Sequence, residues 1–228
     1  MSNDSKNETP TSSPEAARAP RWRRRKEARP SEILAAALDI FLERGYDATR
    51  LEDIAKRAGC TKGTVFLYFQ GKADLFKAAV REAMLPMIKA SEQDFATHEG
   101  PIRDLLESMM RQRWEVFQRS RIAGLPSMFL ADGTRFPELT RFFHDEVWSR
   151  SQSLFARVIE EGIRRGEFRP MEPLEASRSF MAPLLLGNLW KKSFTPVLDP
   201  GVDVDRFFEQ ALDIFFRGIV AEPHREMA

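Results

Sequence analysis

Apolar residues from 33 to 79 recur at offsets of three and four, the period of helices that each bury one face; the segment predicts three short amphipathic helices and the start of a fourth. Ile33, Ala37, Ile40 and Phe41 share the inner face of the first helix. Gly45 is placed to end it, because glycine accepts the left-handed backbone that a helix end requires. Thr49-Arg50-Leu51-Glu52 has the spacing of a capping box, in which the Thr49 hydroxyl and the Glu52 carboxylate each satisfy an orphan backbone N–H. A second helix is therefore expected from Thr49, burying Leu51, Ile54, Ala55 and Ala58 and closing at Gly59 after about two and a half turns. Cys60 fills the turn and Thr61 is the next N-cap. Val65 and Phe69, four apart, are committed to the core, which leaves Lys62, Gly63, Thr64, Leu67 and Tyr68 on the outer face of the third helix. Two short helices joined by so tight a turn predict a helix-turn-helix. Small residues there let the backbone approach DNA, hydroxyls bond phosphates or bases, and Leu67 suits a thymine methyl. The competing reading of this pattern is a helical bundle with no DNA role.

From Lys72 the chain reads almost entirely as helix, without strand-like alternation or an internal repeat. Breaks are expected near Gly100-Pro101, Gly124 to Pro126, Asp132-Gly133, Gly166 to Pro173 and Thr195 to Gly201. They separate a fourth helix running to about Thr97, one from Pro101 to about Arg119, a short one around Ser127 to Ala131, and a long one from about Pro137 to Arg165. Two more are expected, from about Leu174 to Lys192 and from about Val204 to Val220.

The N-terminal segment resembles the TetR family of bacterial transcriptional regulators. The match runs in register from Ile33 through Gly45-Tyr46-Asp47-Ala48-Thr49, Asp53-Ile54-Ala55, Ala58-Gly59, Lys62-Gly63-Thr64 and Tyr68-Phe69 to Lys72-Ala73-Asp74-Leu75. That is about fifty residues, far more than a single short motif. The resemblance implies a phosphate contact at Thr49, with Arg50 beside it, a recognition helix over Thr61 to Tyr68, and a DNA-backbone contact at Lys72. The chain departs from the family pattern at Phe66, where a tyrosine is usual, so a possible phosphate bond is lost while aromatic packing is kept. The C-terminal half is similar to the family only loosely, through Phe136-Pro137-Glu138-Leu139 and Arg165-Gly166-Glu167-Phe168-Arg169, which read as helix boundaries.

The expected fold is all-α: an N-terminal three-helix helix-turn-helix domain over 29–75 and a larger helical effector-binding and dimerisation domain over 76–222. Residues 1–28 have almost nothing to bury and read as a disordered basic extension. Charge sharpens this division. The chain has a net charge of +1, but residues 1–80 hold 15 Lys and Arg against 11 Asp and Glu, and the remainder 20 against 23. Positive charge thus gathers on the half that would face phosphates. Within the extension, Arg23, Arg24 and Arg25, in the run Arg21 to Lys26, form an arm that either lies on DNA or adds only nonspecific attraction.

The last two helices are apolar nearly all round. In the final one Phe207, Ala211, Ile214 and Phe215 form one strip, and Phe208, Leu212, Phe216 and Ile219 a neighbouring one. The preceding helix has Phe180, Leu184, Leu185, Leu186, Leu189 and Trp190. One strip can face the chain's own core, and a second asks for a partner. A homodimer through a four-helix bundle follows, with Leu184, Leu185, Phe207, Ala211, Phe215 and Ile219 at the interface, unless the two helices are simply central in a large monomer. The family resemblance implies the same homodimer, on a palindromic operator in double-stranded DNA.

Between these parts lie large adaptable side chains, Met109, Met110, Trp114, Phe117, Met128, Phe129, Phe143, Trp148 and Phe155, interspersed with Arg113, Gln152 and Asn188. The resemblance implies a small-molecule pocket here, and Met110, Arg113, Trp114, Phe117, Met128, Phe143, Trp148, Gln152 and Asn188 are its expected lining, for a hydrophobic or aromatic effector. The plain alternative is that the same aromatics are core.

Catalysis has no residue to point to. His98, His144 and His224 are far apart and without metal-ligand spacing, no glycine-rich phosphate loop is present, and no metal or cofactor is expected. Cys60, beside the recognition helix, reads as a turn filler or as a redox-sensitive thiol. One cysteine excludes an internal disulfide framework. The longest strongly apolar run, Phe180 to Trp190, is too short to span a bilayer and holds Pro183, Gly187 and Asn188, so a cytoplasmic protein with no membrane partner is expected. The expected function is a homodimeric repressor released by its effector. The alternatives are an activator or effector-independent regulator of the same fold, or an all-helical carrier or enzyme whose DNA-binding motif is vestigial.

Overall fold

A computed structural model of the chain describes residues 21–195, 197 and 203–220, with the backbone only for residues 21–28, 121, 127, 130, 131, 192 and 193. The described residues are helical throughout, apart from one isolated antiparallel bridge between Phe168 and Val220.

Helix α1 spans Arg21–Ala48 with Pro30 inside it, and its regular geometry breaks at Gly45, where φ is +80°. The extension expected to be disordered is thus helical from Arg21 to Ala28, a consequence of a run dominated by the good helix formers Arg, Lys, Glu and Ala. Residues 1–20 of that expectation lie outside the described residues. Helices α2 (Leu51–Arg57) and α3 (Lys62–Phe66) follow, joined at Gly59 with φ +62°. Helix α4 (Lys72–Thr97) then leads into the C-terminal body. Ile33, Ala37, Ile40, Phe41, Ile54, Val65, Phe69 and Phe76 close one small core. At its centre Phe41, Tyr46 and Phe76 touch with ring centroids 5.1 to 5.7 Å apart.

The body consists of α5 (Ile102–Arg119), α6 (Leu125–Asp132), α7 (Pro137–Phe143), α8 (Ser149–Arg164), α9 (Pro173–Leu189) and α10 (Val204–Ile219). Helix α8 packs on α5 and α9, and α9 on α10. The long helix expected from Pro137 is continuous in space but not regular: a π-helical turn over His144–Trp148 joins α7 to α8, and another over Trp190–Phe194 extends α9. Two bidentate pairs hold α4 against that joint, Arg81 on Glu146 at 2.6 Å and Arg150 on Glu92 at 2.7 and 3.0 Å. The close of α8 depends on a glycine. A Cβ at Gly162 would lie 2.2 Å from the Phe168 ring, which folds over this point into the core.

Of the two apolar strips on α10, Phe208, Leu212, Phe216 and Ile219 face inward. Phe208 stacks on Trp114 at 4.3 Å, nearly parallel, and the Trp114 indole N–H donates to Asp205 Oδ1 at 2.8 Å. On the other strip Phe207 is exposed, Ala211 and Phe215 are half-buried, and Ile214 is 71% exposed.

Candidate DNA-binding surface and effector cavity

Thr61 caps α3 as its spacing predicts, its hydroxyl accepting from the Thr64 N–H at 3.1 Å. Val65 is buried and anchors the helix, so the opposite side is forced outward: Lys62, Gly63, Phe66, Leu67 and Tyr68 are exposed, Thr64 partly so, and Leu67 is 80% exposed. An apolar side chain standing that far into water has no packing role in the free chain. Lys62 pairs with Glu52 of α2 at 2.6 Å, a hydrogen bond that holds the Glu52 carboxyl below the usual carboxylate range, and the ammonium lies 5.8 Å from the Phe66 ring centroid. Arg50 is exposed at the head of α2. Arg23, Arg24 and Arg25 have helical backbone in the first turns of α1.

Two expected contacts are corrected. Helix α2 starts one residue later than predicted, with Arg50 at the N-cap and no side chain capping it. Thr49 is instead turned inward and 2% exposed, its hydroxyl donating to the Gly45 carbonyl at 2.7 Å at the end of α1, which withholds it from phosphate. Lys72 is likewise engaged within the chain. Its ammonium donates to the carbonyls of Tyr46, Asp47 and Thr49 at 2.8, 3.0 and 3.0 Å and lies 4.6 Å over the Tyr46 ring. All three of its N–H donors are used to tie the loop between α1 and α2 to α4.

The second site is a cavity of about 580 Å³ enclosed by α4, α5, α6, the α7–α8 joint and α9. Its wall is almost wholly apolar: Met84, Phe117, Leu125, Pro126, Phe129, Phe143, Val147, Trp148, Met181, Ala182, Leu184, Leu185, Leu186 and Leu189, with Arg113, Thr140, His144 and Ser151 as its polar members. Arg113, Phe117, Phe143 and Trp148 were expected there. Met110, Trp114, Met128, Gln152 and Asn188 are not in the wall. Met110 and Met128 belong to the core, Trp114 is turned toward α10 by its stack on Phe208, and Gln152 and Asn188 are buried elsewhere. Leu184 and Leu185, expected at a dimer interface, line the cavity, and Leu184 and Ile219 are buried within the chain. Ser151 and Met181 carried no signal of their own, because only the register of α8 against α9 selects them.

Thr140 donates its hydroxyl to the Gly133 carbonyl at 2.9 Å, and the exposed His144 ring is bonded to Asp145 at 2.8 Å. Arg113 is 3% exposed. Its Nη1 donates to Ser151 Oγ at 3.1 Å, the Phe155 ring lies 5.0 Å from its guanidinium carbon, and Nε and Nη2 have no partner. Burial without a counter-charge lowers the Arg113 pKa to about 10, and the group still carries its charge at neutral pH.

Cavity and DNA-binding domain share one short helix. Phe129 of α6 lines the cavity, lies 4.3 Å from Phe143 across it and 6.1 Å from Phe76 in the N-terminal core. Three residues on, the Asp132 carboxylate accepts the Tyr46 N–H at 2.9 Å, beside an Arg135–Asp47 pair at 2.8 Å and a Phe136–Tyr46 ring contact at 4.7 Å.

A helix-turn-helix set on an all-helical body with an internal cavity defines a DNA-binding regulator with a separate sensing domain. Residues 33–79 match the model of the bacterial regulatory proteins of the tetR family, and residues 104–218 that of the C-terminal domain of AefR-like transcriptional repressors. The chain belongs to the TetR family of transcriptional regulators, which are not enzymes. It is 37% identical over 200 residues to a fatty acid metabolism regulator protein of Bacillus subtilis, covering 85% of this chain and 98% of that one. Among solved structures, a TetR-family regulator from Mesorhizobium loti superposes with a TM-score of 0.70 at 21% identity, covering 86% of this chain and 99% of that one. The triclosan complex of SmeT, repressor of a multidrug efflux pump in Stenotrophomonas maltophilia, superposes with a TM-score of 0.67 at 24% identity, covering 86% and 93%. No helix among the described residues is long and apolar enough to cross a membrane.

Proposed function

We infer that this protein is a cytoplasmic, homodimeric repressor that leaves a palindromic operator when a small, largely apolar effector fills the cavity. The observation that carries this reading is the double attachment of α6, whose Phe129 forms cavity wall while its Asp132 holds the Tyr46 N–H in the DNA-binding domain. A ligand that displaces Phe129 moves the anchor of the loop leading into α2. Dimerisation is supported by the outward strip of Phe207, Ile214 and Leu186, too apolar to stay in water. Two-fold pairing of such chains presents two α3 helices to major grooves roughly 34 to 36 Å apart or somewhat more.

Fluorescence anisotropy against the DNA upstream of the protein's own gene, with excess nonspecific competitor, tests the reading. Competitor-resistant binding is expected, weakening by roughly a thousandfold between about 50 and 200 mM salt. Lys62→Ala and Tyr68→Ala each abolish it without unfolding the protein, since both side chains are exposed. Unchanged affinity in both variants would remove α3 from DNA recognition.

A further inference from the structure

We propose that the effector is an amphipathic monocarboxylate, an apolar body filling the cavity with its carboxylate on the Nε/Nη2 edge of Arg113. This deepens the effector reading given above and rests on it. Arg113 is a full positive charge in an apolar wall, and its pairing is half complete: Ser151 occupies Nη1, Phe155 covers one face, and Nε and Nη2 stand without partners. Those two nitrogens form one side of the planar guanidinium, the side that offers two parallel N–H bonds to the two oxygens of a carboxylate. The same chain uses that side elsewhere: Arg81 grips Glu146, Arg150 grips Glu92 and Arg164 grips Glu161, each through Nε and Nη2. Those three pairs lie at or near the surface, where solvent would serve if the carboxylate were missing. Arg113 is the buried case, and no Asp or Glu among the described residues pairs with it.

The remaining polar groups of the wall do not compete for the ligand's charge. The Thr140 hydroxyl already donates to a backbone carbonyl, and His144 is exposed and paired with Asp145. Neither free nitrogen of Arg113 touches solvent, so the carboxylate is seated by a side-chain movement in the wall. That movement is next to α6, because Phe117, Leu125 and Phe129 line the same cavity as Arg113. A neutral apolar molecule fills space there but leaves the guanidinium unpaired.

Isothermal titration calorimetry on the full chain without DNA, using decanoate, dodecanoate and 2-naphthoate and the primary amide of each, tests the assignment. At least one carboxylate is expected to bind about tenfold or more tighter than its amide. Arg113→Met is expected to erase that preference while the amide binds as before. Arg113→Lys keeps the charge but not the two-pronged edge, and retains only part of the preference. Thermal melts of both variants confirm that the fold is intact. Equal affinity for acid and amide, a preference that survives Arg113→Met, or no uptake of any carboxylate at millimolar concentration would each overturn the assignment. Release of operator DNA by a neutral hydrophobe, with no carboxylate bound, would sink the charge assignment and leave the repressor reading standing.

Discussion

The two halves of this molecule treat their polar groups differently. In the DNA-binding domain the inward-turned polar groups find partners: Thr49 bonds the end of α1, the Lys72 ammonium takes three carbonyls, and the Tyr46 N–H meets Asp132. In the body, Arg113, Gln118, Ser120 and Asn188 each keep at least one buried nitrogen or oxygen without a partner. An unmade buried hydrogen bond costs about 1 to 3 kcal/mol and a buried unpaired charge more, so the body carries a cost that the DNA-binding domain avoids. The first region is finished by its own chain and serves as a rigid reader. The second is left incomplete, as a region must be if something from outside is to complete it.

Substitutions that exchange the two conditions test this contrast. The largest expected effect is for Lys72→Met, which removes three hydrogen bonds from the loop between α1 and α2 and should lower stability by about 2 to 4 kcal/mol in urea denaturation, with loss of operator binding. An unaltered urea midpoint would mean the loop is held by packing alone. Arg113→Met should have the opposite sign. Replacing an unpaired buried cation by an apolar chain of similar length should raise stability of the unliganded protein by about 1 to 3 kcal/mol, read in the same experiment. Destabilisation would show that Arg113 has a structural partner. The smallest effect is expected at the surface. Glu52→Gln frees Lys62 and removes a negative charge beside the recognition helix, so operator affinity by anisotropy should rise by about two- to fivefold at low salt with no change in the melting curve.

How much of this was legible in the sequence differs between the halves for the same physical reason. The short helices of the DNA-binding domain are bounded by local chemistry, glycines at +80° and +62° and a threonine cap at Thr61, and their inner faces are set within a few residues. The misreadings there, Thr49 and Lys72, concern side chains whose partners lie outside their own helices: Thr49 turns back to α1, and Lys72 reaches across to the loop before α2. In the body the helices were legible but their rotation was not. Periodicity on α10 yields two apolar strips and cannot say that Phe208 and Phe216 face inward while Phe207 and Ile214 face out. The cavity draws its wall from several helices, so Trp114 and Asn188 could be placed in it, and Ser151 left out, by any reading that lacks their relative register.

The π-helical turn over His144–Trp148 gives that register a simple handle. Such a turn amounts to one surplus residue held in an otherwise regular helix, and each residue of an α-helix advances by about 100°. Deleting a single residue there would let α7 and α8 fuse into one uninterrupted rod, swinging the faces on one side of the joint by about a quarter turn relative to those on the other. Thr140 and Phe143 would then no longer line up with Val147, Trp148 and Ser151. A one-codon deletion is thus a larger change to what this cavity can hold than any one substitution in its wall, and length variation at this joint is an economical route by which a common scaffold acquires a different ligand.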